Sequence, residues 1–128
     1  MNRTALKISE ADLEKAGTDL LAWDGWRSLK CDPVSRREWG KGFGERGMAD
    51  RLYLRYDRMN YCLNPVGEIL WIEWKRPKGK AKPHQRTWIE SERARGALVL
   101  LAGEDFEATY DAFLEWYRKS GLARREIL

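Results

Sequence analysis

A chain of 128 residues and 15.0 kDa has room for one domain with a real core, and 43% hydrophobic residues with seven tryptophans exclude a disordered polymer. Twenty-four Lys/Arg against twenty Asp/Glu leave a net charge of +4 and a pI near 9.2, a modest bias toward a polyanionic partner. Cys31 and Cys62 lack CxxC spacing and histidine neighbours, no apolar run is long enough to span a bilayer, and residues 1–7 turn polar at once. Zinc ligation, a required disulfide, a membrane partner and a signal peptide are therefore not expected, and a soluble, cytoplasmic protein is.

Residues 9–24 are predicted to form a helix, with Ser9 as N-cap, a stripe of Leu13, Ala16, Leu20 and Trp23, and Gly25 as terminator. A short strand over 26–30 follows. Residues 31–47 read as a long irregular segment in which glycines alternate with Arg36, Arg37, Lys41 and Arg46. Residues 51–56 and 68–75 read as two strands of a hairpin whose loop holds Asn60, Asn64, Pro65 and Gly67. A basic Pro/Gly turn leads into a helix over 84–95 closed by Gly96. An apolar strand over 97–101 and an amphipathic helix over 105–119, with Phe106, Tyr110, Phe113 and Tyr117 on one face, complete the chain. That order predicts an α/β fold, a mixed sheet flanked by helices in a single domain spanning 1–128.

The chemistry concentrates on Asp50 and the run Ile72-Glu73-Trp74-Lys75. Strand side chains alternate, so Glu73 and Lys75 share a side and Trp74 takes the other. Two carboxylates suit a hard cation such as Mg²⁺, and a neighbouring lysine can orient or deprotonate water and offset phosphate charge. An ExK string alone is a weak signal in a chain that is 34% charged.

The flanking residues make it specific. Gly47-Met48-Ala49-Asp50-Arg51-Leu52, then Glu73-Trp74-Lys75-Arg76-Pro77-Lys78-Gly79, then Pro83-His84-Gln85-Arg86-Thr87-Trp88 resemble the pattern of the VRR-NUC (virus-type replication–repair nuclease) family of the PD-(D/E)XK superfamily. The likeness covers residues 9–118; Ala49 replaces the family's proline, and residues 56–65 look inserted. The resemblance implies a restriction-endonuclease-like core and Mg²⁺- or Mn²⁺-dependent endonuclease activity on DNA. It also implies a homodimer acting on branched DNA such as four-way junctions. It places Asp50, Glu73, Lys75 and Gln85 on catalytic positions. Asp50, Glu73 and the carbonyl of Trp74 fall on metal-binding positions. A further acid from the first helix is Glu14 or Glu10, with Glu14 preferred.

Six Lys/Arg and no acid lie between residues 75 and 86. Lys78, Lys80, Lys82 and Arg86, with Arg36, Arg37, Lys41 and Arg46, are expected to hold a phosphate backbone without reading sequence. The GxGxxG string at 42–47 neither follows a strand nor opens a helix, so dinucleotide binding is not expected. Two alternatives stay open at this level: a non-catalytic nucleic-acid-binding module that keeps the fold, and a nuclease directed at RNA, which phosphate contacts alone do not separate from DNA.

Overall fold

The computed structural model describes residues 9–31, 45–56 and 67–127. Within them run α1 (Glu10–Trp23), β1 (Arg27–Lys30), β2 (Arg51–Tyr56), β3 (Gly67–Glu73), α2 (Pro83–Ala94), β4 (Leu98–Leu101) and α3 (Tyr110–Lys119). The sheet has the order β1-β2-β3-β4; the first two pairings are antiparallel and β3–β4 is parallel. The right number of residues lies between β3 and β4 for a crossover helix, and α2 is that helix. The mixed α/β sandwich expected from the element order is the observed architecture.

Alternation on the strands divides the molecule into two layers. Tyr53, Leu70, Ile72 and Leu100 turn to one face, where Leu13 and Leu21 of α1 and Phe113 and Tyr117 of α3 cover them. Trp74, just past β3, fills the centre of this layer, edge-on to Phe106 and Phe113. Trp71, Val99 and Leu101 turn to the other face and pack under Trp88 and Ile89 of α2.

Two helices differ from the sequence expectation. The buried line of α1 is Leu13, Gly17 and Leu21, whereas Ala16 and Leu20 are half-buried and Trp23 is exposed. The cause is Gly17: a Cβ there would lie 2.3 Å from the Trp74 ring, so the helix meets the core at a position with no side chain. Helix α3 begins at Tyr110, not at 105. Asp105 spends its carboxylate on the Leu101 N–H (2.6 Å), Phe106 pairs with Ala102 as an isolated bridge, and Thr109 caps the helix by accepting from the Ala112 N–H. Strand β3 ends at Glu73, two residues earlier than expected, and the 57–66 loop lies outside the described residues.

Candidate active site

Strand β2 starts where β3 ends, because the ladder pairs Arg51 with Ile72. One step further, Asp50 stands opposite Glu73. The Asp50 carboxylate accepts the Trp74 N–H at 3.1 Å, which ties the two strand ends together. The segment before Asp50 is fixed from the side. Gly47, at φ 82°, passes so close to α2 that a Cβ would fall 2.2 Å from the His84 carbonyl oxygen, and Glu45 accepts the Trp88 indole N–H at 3.0 Å. Only glycine combines that φ with that approach.

Glu73 is almost wholly buried. Its Oε2 accepts from Lys75 Nζ at 3.1 Å and from Gln85 Nε2 at 3.2 Å. The Gln85 amide has one sensible orientation, since its Oε1 accepts from both Lys75 Nζ (3.0 Å) and the Lys82 N–H (2.9 Å). The acceptance from Lys82 also closes the first turn of α2, where Lys82 is the N-cap and Pro83 occupies the first helical position. Gln85 thus joins the helix start to the acid and the lysine.

The other oxygen, Glu73 Oε1, is buried and without a hydrogen-bond partner. A buried carboxylate oxygen left unpaired is costly and calls for a proton, a water or a cation. Burial pushes Glu73 up to about 7, and the Asp50 charge adds to the shift against the opposing pull of Lys75. Burial likewise raises Asp50 to about 6, with repulsion from Glu10 and then Glu14 contributing. Two carboxylates that each resist ionisation beside the other make a site short of positive charge.

Of the two helical acids, Glu14 is taken by an ion pair with Arg51, whereas the charge of Glu10 weighs more on Asp50. Among the described residues no three Asp, Glu, His or Cys side chains converge into a ready metal cage. A hard cation nevertheless fits the donor set: two facing carboxylates, one with an orphaned oxygen. Below the site, the Tyr53 hydroxyl accepts the Trp74 indole N–H at 2.9 Å and meets the Thr18 hydroxyl at 2.8 Å, anchoring the residue between Glu73 and Lys75.

The four side chains that the motif resemblance marks, Asp50, Glu73, Lys75 and Gln85, are gathered by the fold in one place. The basic residues divide. Lys78, Lys80 and Arg86 line a cleft beside the acids, Arg46 lines a separate open groove along α2 with His84 and Trp88, and Lys82 is the α2 cap. Arg86 is paired with Glu104, an acid that nothing in its loop sequence marks. Arg36, Arg37 and Lys41 lie outside the described residues. Arg51 also escaped the sequence reading; its signal is parity with the inward-facing Tyr53 and Arg55.

The raised acids set a pH dependence. The folded protein holds their protons more tightly than the unfolded chain, so their contribution is most favourable below the unfolded values. It is lost as pH rises through about 6 and about 7. Scanning calorimetry in EDTA is expected to show stability falling between pH 5 and pH 8 by an amount on the order of 3 kcal/mol. Mn²⁺ is expected to restore more of it at pH 8 than at pH 5, because the metal and the protons compete for the same oxygens. A flat metal-free profile would contradict the buried acidic pair.

No protein-family model matches the chain, and no curated protein or solved structure shows significant similarity to it. No helix among the described residues is long and apolar enough to cross a membrane.

Proposed function

We propose that this protein is a metal-dependent endonuclease that hydrolyses phosphodiester bonds in DNA, built on a restriction-endonuclease-like core. The observation that carries the reading is the buried Glu73, facing Asp50, bonded to Lys75 and Gln85, and left with one unpartnered oxygen. Asp50, Glu73 and the Trp74 carbonyl would hold Mg²⁺ or Mn²⁺. Glu10 or Glu14 would reach it through water, and Glu14 would keep its partner Arg51. Bound there, the ion supplies a water of lowered pKa and positive charge where the phosphorane becomes negative.

Lys75, whose Nζ lies 3.1 Å from Glu73 Oε2, would orient the attacking water or take its proton. Gln85 holds that nitrogen and the Glu73 oxygen in one geometry. The basic cleft next to the acids suits a phosphate backbone. Action on branched DNA, and a homodimer that places two such sites symmetrically, belong to the same reading and follow from the motif resemblance.

Linear duplex, flap and four-way-junction DNA, and matched RNA, incubated with Mn²⁺ or with EDTA, test it. Cleavage of junction DNA in Mn²⁺ alone is the expected result. Binding without cleavage under any metal would assign the non-catalytic alternative. Cleavage of RNA only would reassign the substrate. Full activity in EDTA would overturn the mechanism.

Lys75→Ala is expected to lower single-turnover cleavage by roughly 10²- to 10⁴-fold, the usual worth of positioned proton transfer. Metal affinity by calorimetry should be unchanged or tighter, because a cation 3.1 Å from Glu73 competes for its charge. Loss of metal binding together with activity would contradict the role.

A further inference from the structure

Beside the acids, on the β4 side, lies a cleft of about 420 Å³ walled by Lys78, Gly79, Lys80, Arg86, Gly103 and Glu104. It shares its strands with the acidic centre: Leu101 on its floor is the β4 partner of Glu73, and the Ala102 N–H donates to the Glu73 carbonyl at 3.0 Å. A ligand in the cleft is therefore an immediate neighbour of one held at Asp50 and Glu73.

Two features of its walls have no architectural explanation. The first is Lys78. The Gly79 N–H donates to the Arg76 carbonyl at 2.8 Å, with Pro77 at the second position of the turn and Lys78 at the third, at φ 65°. That third position, left-handed in a type II turn, selects glycine or asparagine, and a lysine there carries a steric cost. Among the described residues it is the one non-glycine with positive φ. Strain of this kind persists where the side chain has a use.

The second feature is the Arg86–Glu104 pair. Arg86 and Arg93 lie seven residues apart on one face of α2 and pair with the consecutive acids Glu104 and Asp105. Arg93–Asp105 is architecture: Arg93 also donates to the Val99 carbonyl at 2.9 Å, and Asp105 holds the Leu101 N–H. Arg86–Glu104 stands nearly half exposed at the cleft, and Glu104 is the one acid among its described lining residues. The turn that presents it is fixed by Gly103 N–H to Phe106 carbonyl (2.8 Å) and Glu104 N–H to Leu101 carbonyl (3.1 Å).

We propose that this cleft is a phosphate-binding subsite for the nucleic-acid strand entering the acidic centre, that the strained turn exists to present Lys78 to it, and that Glu104 is a resident counter-ion which an incoming phosphate displaces from Arg86. It rests on the reading of a nucleic-acid substrate given above. Glu104 thereby makes binding dependent on a full phosphodiester charge and weakens retention of adventitious anions.

Fluorescence anisotropy with a short labelled DNA duplex in EDTA, across a salt series, tests this without cleavage. Glu104→Gln is expected to tighten binding about fivefold at low salt, the worth of one charge a few ångströms away in high dielectric. That advantage should fade as salt rises and vanish when combined with Arg86→Met. Lys78→Gly is expected to raise the thermal midpoint by roughly 3 to 5 °C through relief of the turn. The same variant should weaken binding and reduce the log–log salt slope by about 0.9. Wild-type binding with Glu104→Gln or Lys78→Gly unchanged would overturn the subsite and leave the nuclease reading standing. No DNA binding by the wild-type protein would overturn both.

Discussion

Glu73→Gln and Asp50→Asn are each expected to abolish metal-stimulated cleavage while making the metal-free protein more stable at pH 8. The loss follows from removing a charged oxygen from a two-carboxylate site. Electrostatic stabilisation by a bound cation amounts to several kcal/mol of the barrier, which at about 1.36 kcal/mol per decade is roughly 10³-fold or more. The gain follows from the same geometry. Glu73 is buried with an unpartnered oxygen, and burial and Asp50 both disfavour its charge, so a neutral amide of the same shape relieves a penalty. Asparagine at position 50 retains an oxygen for the Trp74 N–H, so the joint between the strand ends survives. Opposite movement of activity and stability separates a functional acid from a structural one, which would lose both. Thermal midpoints of the two variants in EDTA, beside their single-turnover rates in Mn²⁺, check it. A variant that keeps within tenfold of wild-type cleavage, or that unfolds, would contradict the role assigned here.

The site stood out through the flanking residues that carry the motif resemblance, since the ExK spacing alone is a weak signal. Glu73 and Lys75 share a strand side, and Gln85 follows after one turn at the third position of a helix, so a short stretch of chain carries most of the geometry. Asp50 stood out through the Gly47-to-Leu52 context of the same resemblance, and the φ of 82° at Gly47 and its approach to His84 explain why glycine stands there. What was not legible depends on distant partners. Glu14 has the right helix face, but Arg51, which follows Asp50 directly, claims it. Glu104 lies eighteen residues beyond Arg86 in a turn without a motif.

The fold shows the same division. Hydrophobic periodicity finds α1 but misplaces its buried line, because the deepest contact is made by Gly17, which hydropathy ignores. Phe106 fits the stripe of Tyr110, Phe113 and Tyr117, yet it bridges to Ala102 ahead of the helix, since Asp105 and Thr109 cap backbone groups instead of continuing a helix. On β2 the apolar Leu52 and Leu54 are only partly buried. The structure buries Tyr53 and Arg55 instead, because each finds polar partners across the core. A strand with two candidate faces is decided by its register, which the hairpin pairing sets and a single strand cannot reveal.

Arg55 gives the largest expected effect on stability. Its Nε and Nη2 form a fork onto Glu68 at 3.1 and 2.8 Å, Nη2 also donates to the Leu122 carbonyl at 2.6 Å, and Nη1 donates to Asp24 Oδ2 at 3.1 Å. The guanidinium lies 4.2 Å from the Trp26 ring. Asp24, buried beside it, accepts from Tyr117 and from the N–H groups of Arg124 and Arg125, so the cluster binds the C-terminal segment to β2 and the end of α1. Arg55→Met keeps the bulk but leaves a buried carboxylate without its cation, a change that costs about 3 to 5 kcal/mol. Arg55→Lys is expected to rescue little, because an ammonium cannot reproduce the fork onto Glu68. Adding Asp24→Asn to Arg55→Met should recover part of the loss, and the double-mutant cycle measures the coupling. At Asp24 burial alone favours the proton, but the Tyr117 hydroxyl, the two N–H groups and Arg55 together hold the carboxyl below its ordinary value. Its contribution is therefore present above the unfolded value near 4 and lost as pH falls through the lower folded one. Arg55→Met weakens that hold and should shift the onset of acid unfolding upward. Arg55 and Glu68 sit at the end of β2 and β3 remote from Asp50 and Glu73, so cleavage at a temperature where the variant is folded should match wild type. One end of the β2–β3 pair therefore abuts a well-compensated acid, Asp24 at the end of α1, whereas the other end holds two acids that lack such compensation. Urea titrations of Arg55→Met across pH are decisive: a loss under about 1 kcal/mol would mean that desolvation of the guanidinium already cancels its attractions.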